Sequence, residues 1–259
     1  MSEETLQLLA GDPERDALVV GKVVLVLADK PVTLELIVPT HPVGFASILP
    51  ILQDLTDFIV DRSVRAAEAE GRTISCHAGC GACCRQLVPI SQSEARALAA
   101  LVDAMPEPRR SEIHRRFDDA LHSLHAAGVV AEIDTAREGG QDTLAKLSVR
   151  YFQQGVACPF LEDESCSIHP DRPLSCRQYL VTSPAPNCVS PSPKTIELVS
   201  LPARPSKALM LADTEDAGET WMPLVYALAY TGQIAPAAPT RTASDILRDI
   251  FGRFQANAP

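Results

Sequence analysis

Long apolar runs are missing from this 259-residue chain. Nowhere does it approach the roughly 18 consecutive apolar residues that a membrane-spanning helix needs, so no membrane partner is expected. The N-terminal stretch MSEETLQLLAGDPERD is acidic and lacks the basic start and apolar stretch of a secretory signal. The expected location is the cytoplasm. A surplus of positive charge is missing too. Lys and Arg number 23 against 33 Asp and Glu, a formal net charge of −10. A chain of that sign does not neutralise phosphates broadly, and no nucleic-acid partner is expected. Three motifs are also absent: a Gly-rich phosphate loop, a Gly-x-Ser-x-Gly elbow and a His-Glu-x-x-His pair. Kinase, dinucleotide-enzyme and standard hydrolase readings have nothing to rest on.

What is present is a composition that is 46% hydrophobic and 22% charged, ordinary for a globular protein. A chain of this length buries a core without covalent staples, so its eight cysteines are not needed to hold a tiny fold together. In a reducing compartment they read as metal ligands or redox groups before disulfides. Buried cysteines can also serve as small hydrophobes, but such residues do not crowd into two clusters.

Along the chain, residues 21–38 read as two strands around an Asp29-Lys30-Pro31 turn, from their Val, Leu and Ile content and the alternation from Thr33 to Val38. Ser47 is placed to cap a helix from Ile48 with Pro50 in its first turn; Leu52, Leu55, Ile59 and Ala66 give it an apolar face, and Gly71 stops it. Ser91 and Glu94 form a capping box. A helix follows Pro108, with Ile113, Phe117, Leu121 and Leu124 on one side and Gly128 at its end. Residues 139–157 read as a connection, 195–212 as a strand pair around a Pro-containing loop, 219–232 as a helix interrupted by Pro223, and 232–242 as a Pro/Ala linker. A short amphipathic helix closes the chain, with Ile246, Leu247, Ile250, Phe251 and Phe254 on one side. The expected class is α+β: helices and a small antiparallel sheet bracing two cysteine-rich loops. Residues 1–231 read as one domain, and 232–259 as a linker and C-terminal helix.

The first cysteine group is Cys76, Cys80, Cys83 and Cys84, spaced C-x3-C-x2-C-C; the second is Cys158, Cys166, Cys176 and Cys188, with gaps of seven, nine and eleven residues. Ala78, Gly79, Gly81 and Ala82 fill the first loop, where small residues let a backbone turn tightly and aim N–H groups at thiolate sulfur. A C-x2-C unit is the usual tight chelate of zinc and of iron–sulfur clusters. Adjacent Cys83 and Cys84 do not serve one site in the same way: they ligate neighbouring sites, or one binds metal and the other is a reactive thiol. Eight sulfurs close two four-thiolate sites, or one cluster with several cysteines left over; the spacing leaves both open.

The run CHAGCGACCRQLVPISQSEARAL, then CPFLEDESCSIHPDRPLSCRQY, then Cys188, resembles the cysteine-cluster family of zinc- or iron-chelating domains with a CxxCxxCC signature, which includes flagellin lysine N-methylases. The likeness covers about residues 76–188, and departs from the signature in the three residues, not two, between Cys76 and Cys80. It implies that all eight cysteines bind zinc or an iron–sulfur cluster, of the 4Fe–4S type if iron. For the methylase branch it implies S-adenosylmethionine and a protein lysine substrate. Arg177 and Tyr179 match motif positions. The C-x3-C-x2-C spacing also occurs in radical S-adenosylmethionine enzymes, but here a long helix precedes it and no strand–helix alternation follows.

His77 and His169 flank cysteines, though eight thiols already suffice. Arg85, Arg172 and Arg177 are positioned to offset the negative charge of a thiolate site, to bind a substrate anion, or simply to pair with loop carbonyls and acids. Arg85, Arg177 and Tyr179 are the candidate cofactor-binding residues. Asp163 and Glu164 read as a polar turn, Trp221 and Tyr226 as core. Three functions fit: a metal-binding protein, an iron–sulfur-dependent protein lysine methyltransferase, and a metal-handling or assembly protein.

Overall fold

The alternation of side chains along residues 30–39 builds the first sheet. In the computed structural model, which describes residues 4–138, 141–192, 194–213, 221–231 and 240–256, β1 (Glu4–Leu9), β2 (Leu18–Leu27) and β3 (Lys30–Pro39) form three strands with β3 in the middle. Val32, Leu34, Leu36 and Val38 of β3 are buried, while Thr33, Glu35 and Ile37 between them face outward. That is the period of two that a half-buried strand requires. β2 is antiparallel to β3, with Leu25 opposite Val32; β1 is parallel to it, with Leu8 opposite Leu36. The sheet is therefore mixed, not wholly antiparallel. The hairpin turn is tighter than expected. Ala28 and Asp29 carry it, both left-handed at φ 50° and 59°, as in the two-residue turn that matches strand twist. Lys30 and Pro31 already belong to β3.

α1 (Leu49–Ala69) covers the inner face of the sheet. A 3-10 turn at Phe45–Ile48 leads into it, so Ile48 occupies the cap and Ser47 makes no capping bond. Pro50 sits in the first turn, where no intrahelical N–H is lost. The apolar stripe steps from Ile59 through Ser63 to Ala67, leaving Ala66 exposed. Gly71 ends the helix at φ +78°; its N–H donates to Glu68 O and that of Arg72 to Ala67 O.

A second layer follows. β4 (Pro89–Ile90) leads into α2 (Gln92–Asp103), α3 (Arg109–Ala126), α4 (Val129–Glu138) and α5 (Gln141–Phe152). The Ser91–Glu94 capping box opens α2 as read, and Gly128, at φ +74°, follows α3. The expected connection at 139–157 is instead occupied by α5 over most of its length. Leu144, Leu147 and Tyr151 recur on one face of α5 and pack into a core with Leu124, Val129 and Ile133. The polar turn at Asp163–Glu164, with φ 46° and 55°, joins β5 (Leu161–Glu162) to β6 (Ser165–Cys166).

α6 (Leu174–Arg177) is a single turn. The strand pair expected at 195–212 reduces to one bridge, Leu198 with Val181. The rest becomes α7 (Pro205–Ala212), started by a proline that suits a first helical turn. β7 (Met222–Pro223) pairs with β4, and α8 (Ala227–Thr231) follows a 3-10 turn. The helix read over 219–232 is thus broken by its proline, and residues 219, 220 and 232 lie outside the described residues. So do residues 232–239 of the linker. α9 (Ala243–Ala256) buries Ile246, Leu247, Ile250, Phe251 and Phe254 in the same core as the sheet and α1. A middle core of α2, α3, Phe160, Ile168 and Met222 lies directly beneath the hairpin that carries Cys166.

Candidate metal centre

Beyond Gly71 the chain runs without regular structure to Cys76. Ser75 N–H donates to Val181 O at 3.0 Å, and Val181 N–H donates back to Cys76 Sγ at 3.4 Å. The first cysteine is thereby zipped to a segment more than a hundred residues away. Gly79, at φ +85°, supplies a left-handed turn that a side chain would strain, and Cys80 N–H donates to His77 O. A 3-10 turn, Ala82–Arg85, then presents Cys83 and Cys84.

The second cysteine region closes onto this loop. Cys158 N–H donates to Cys84 O at 2.7 Å, and Leu161 N–H to Cys158 O. Cys166 lies across the β5–β6 hairpin, opposite Leu161. Cys176 rides on α6, whose first N–H, that of Leu174, donates to Glu94 Oε1 at 2.8 Å; Ser175 Oγ donates to Pro89 O at 2.7 Å. Cys188 lies in the 3-10 turn Ala185–Val189, which packs against the turn of Cys83 and Cys84. Gly81 is where the loops meet. A Cβ there would come within 2.5 Å of Glu164 Oε2, 2.7 Å of Leu161 Cδ1 and 3.2 Å of Glu164 Cα, so any side chain would push the Glu164 and Leu161 side chains aside and crowd the Glu164 backbone.

Burial makes these thiols hard to ionise. It pushes Cys158 up to about 12, Cys176 well above the ordinary thiol value, and Cys76, Cys166 and Cys188 upward as well. Backbone N–H groups work in the opposite sense: Phe160 on Cys158, Ile168 on Cys166, Val181 on Cys76. Cys83 is the exception. The Cys84 thiol donates to its sulfur, bringing Cys83 down to about 7 and holding Cys84 protonated. The Cys83 charge, once formed, opposes ionisation of Cys76, Cys84, Cys158, Cys166, Cys176 and Cys188. Arg172 favours ionisation of Cys76, Cys83 and Cys166, and its buried Nε has no hydrogen-bond partner.

The donor set suits a soft metal: eight free thiols, three of them facing backbone N–H groups of the kind that orient and support thiolate ligands. The thiols are not already gathered. Among the described residues no three or more His, Cys, Asp or Glu side chains stand as a ready metal-holding group. Binding would therefore turn side chains inward on a backbone that has already brought the loops together.

Of the other expected residues, Arg85 is held by Glu164, with bonds of 2.7 and 3.0 Å, and by Gly81 O. Arg177 is 6% exposed and ties α6 to α1 through Asp57 at 2.5 Å, with further bonds to Arg172 O and Pro170 O. Tyr179 OH accepts from Gln86 Nε2 at 3.0 Å, and burial, with Cys188, Cys83 and Cys76 nearby, raises its phenol. His77 contacts Ala78 O; the Arg172 charge, then burial, lowers His169. A cavity of about 410 Å³ reaches Cys158 between Arg116, Asp119, Gln154 and Pro159. Arg85, Arg177 and Tyr179 line neither it nor the cavity of about 280 Å³ beside Lys207 and Arg253. Sequence reading took Glu94 only as a helix cap; its second role, anchoring the Cys176 turn, spans 80 residues and has no local signature.

Residues 75–195 match the family model CxxCxxCC, described as "Putative zinc- or iron-chelating domain". The matched span contains all eight cysteines. No curated protein and no solved structure matches the chain.

Proposed function

We propose that Cys76, Cys80, Cys83, Cys84, Cys158, Cys166, Cys176 and Cys188 hold zinc or an iron–sulfur centre, in a protein working in the cytoplasm. The observation that carries this reading is the meeting of the two cysteine loops at the turn of Cys83 and Cys84, within the span that matches the chelating-domain model. No helix among the described residues is long and apolar enough to cross a membrane. Zinc would supply a structural tie or a Lewis acid; an iron–sulfur centre, of the 4Fe–4S type in this reading, would supply electron transfer. The chain's own residues prepare the site. Backbone N–H groups of Phe160, Ile168 and Val181 support the thiolates, Arg172 offsets their charge, Gly81 lets the loops dock, and Glu94 holds the Cys176 turn in place.

A second reading is an iron–sulfur-dependent protein lysine N-methyltransferase using S-adenosylmethionine. Its support is the open surface groove of about 410 Å³ that reaches Cys158. The partial exposure of seven of the eight cysteines favours a third, a protein that passes metal to others.

Cys80→Ser and Cys176→Ser test the ligand assignment. Each is expected to lose metal on elemental analysis and to lower the thermal midpoint of the domain. Two folded variants with full metal content would contradict the assignment.

A further inference from the structure

Exposed large apolar side chains are concentrated on one strand. Val19, Val20, Val24 and Val26 of β2 are 44%, 59%, 55% and 64% exposed, with Leu9 of β1 at 39%. The register explains the pattern. Val19, Val23 and Leu25 lie opposite Val38, Leu34 and Val32, whose side chains point into the core. Val20, Lys22, Val24 and Val26 lie opposite Ile37, Glu35, Thr33 and Pro31, and so face outward. A single exposed valine needs no explanation, but a contiguous row of them marks a place of contact.

The backbone of the strand is open as well. β2 pairs with β3 along its whole length, and among the described residues no strand lies on its other side. About half of its N–H and C=O groups therefore face the open edge. Natural edge strands are kept short, broken by proline or a bulge, or charged. β2 is 10 residues long, contains no proline and keeps an unbroken register from Leu18 to Leu27. The opposite edge of the sheet, β1, has 6 residues and carries Glu4, ion-paired to Arg62 at 2.9 Å. On β2 the single charge is Lys22, and Glu35 answers it across the sheet at 3.5 Å. A chain of net charge −10 thus presents one apolar edge whose charge is balanced, where two copies meet without like-charge repulsion.

We propose that β2 pairs antiparallel with β2 of a second copy, giving a two-fold symmetric dimer with one continuous sheet in the order β1-β3-β2-β2-β3-β1. Symmetry and the pleat select the register. A two-fold axis normal to the sheet keeps both outer faces on the same side, so outward residues meet only outward residues. An axis at Lys22 sets two like charges directly opposite each other, which is destabilising. An axis at Gly21 or at Val24 leaves only 18–24 or 21–27 paired. With Val23 on the axis, 19–27 pair; Val20 then faces the partner's Val26, and Lys22 faces the partner's Val24. Each Lys22 keeps its own Glu35 beside it. The contact uses the same edge in both copies, so assembly closes at the dimer. It involves no cysteine and stands apart from the metal-binding reading.

The experiment is sedimentation equilibrium of the full chain over a range of concentrations, with a thiol reductant present so that no disulfide links two copies. The expected result is a reversible equilibrium whose mass approaches twice 27.8 kDa. Two substitutions at exposed Val24 test the register. Val24→Lys sets a lysine opposite the partner's Lys22 and should weaken the dimer at least about tenfold, whereas Val24→Glu sets a carboxylate there and should hold or tighten it. Equal weakening by both charges means an apolar contact without this register and overturns the proposal. So does growth beyond the dimer, and so does a wild type that stays monomeric up to about 100 μM, which leaves the edge open or to a strand of another protein. If a Val24 variant does not fold, judged by circular dichroism, hydrogen exchange of the wild type decides. Amides of 19–27 on the open edge should exchange more slowly in concentrated than in dilute protein, and exchange there that ignores concentration overturns the proposal.

Discussion

Two regions of the molecule are held together by different physics. The sheet, α1 and α9 share a core of aliphatic and aromatic side chains, from Leu8 and Leu34 through Leu52 and Ile59 to Ile250. Burial there is non-directional and complete without any ligand. The cysteine loops contain only elements of two to five residues. Beyond the anchors Phe160, Ile168 and Leu174, which reach into the cores, they are held by directed bonds: Cys158 to Cys84, Leu174 to Glu94, Arg177 to Asp57, Arg85 to Glu164. Each such bond contributes only about 1 kcal/mol net, somewhat more where a charge takes part. The contrast teaches that apolar burial builds the scaffold and positions the loops, while under the proposed function metal would supply the loops' remaining order.

The largest effect belongs to the first region. Leu52 is 0% exposed in the heart of that core, and Leu52→Ala should cost about 2–5 kcal/mol through lost burial and a cavity. Urea denaturation reads the loss, and the fraction still folded should keep its metal. A loss of metal from folded Leu52→Ala protein would mean that the two regions are not separable in this way.

The next is at the loop contact. Gly81→Ala forces a Cβ against Leu161 and the Glu164 backbone and carboxylate, an overpacking of about 1–3 kcal/mol. Hydrogen exchange should accelerate around 81–85 and 158–166, while amides of the sheet stay protected. Uniform acceleration across the chain would erase the contrast.

The smallest is a pH effect at the seam. Burial raises Glu94, and the Asp213 carboxylate raises it further, against the lowering by Ser91 and Leu174 N–H groups. A raised carboxyl contributes fully below its unfolded value of about 4.3, and that contribution is lost as pH climbs through the folded value. Wild-type stability should therefore fall over that window, and Glu94→Gln should flatten the fall. Urea midpoints between pH 5 and 8 measure it; an unchanged slope in the variant would remove Glu94 from the account.

The same division explains what could be read from sequence. The Ser91–Glu94 box, the α3 face ending at Gly128 and the Asp163–Glu164 turn are local patterns, and each stands as read. α5 was hidden because Leu144, Leu147 and Tyr151 are sparse among polar residues. Residues 205–212 read as strand from their continuous apolar run, but Ala208, Leu209, Met210, Leu211 and Ala212 are strong helix formers and Pro205 suits the first helical turn. The cysteines were legible from spacing alone. Their supports were not: the Val181 N–H, Asp57 and the second role of Glu94 come from residues about 80 to 120 positions away, which periodicity cannot register.

The central claim is most directly tested by anaerobic purification of the full chain, with an absorption spectrum and analysis for zinc, iron and sulfide. The account predicts bound metal: zinc in a colourless protein, or iron and sulfide with broad absorption in the visible from thiolate–iron charge transfer. Protein that is folded, reduced and free of both metals, and that takes up neither when they are supplied, would contradict it.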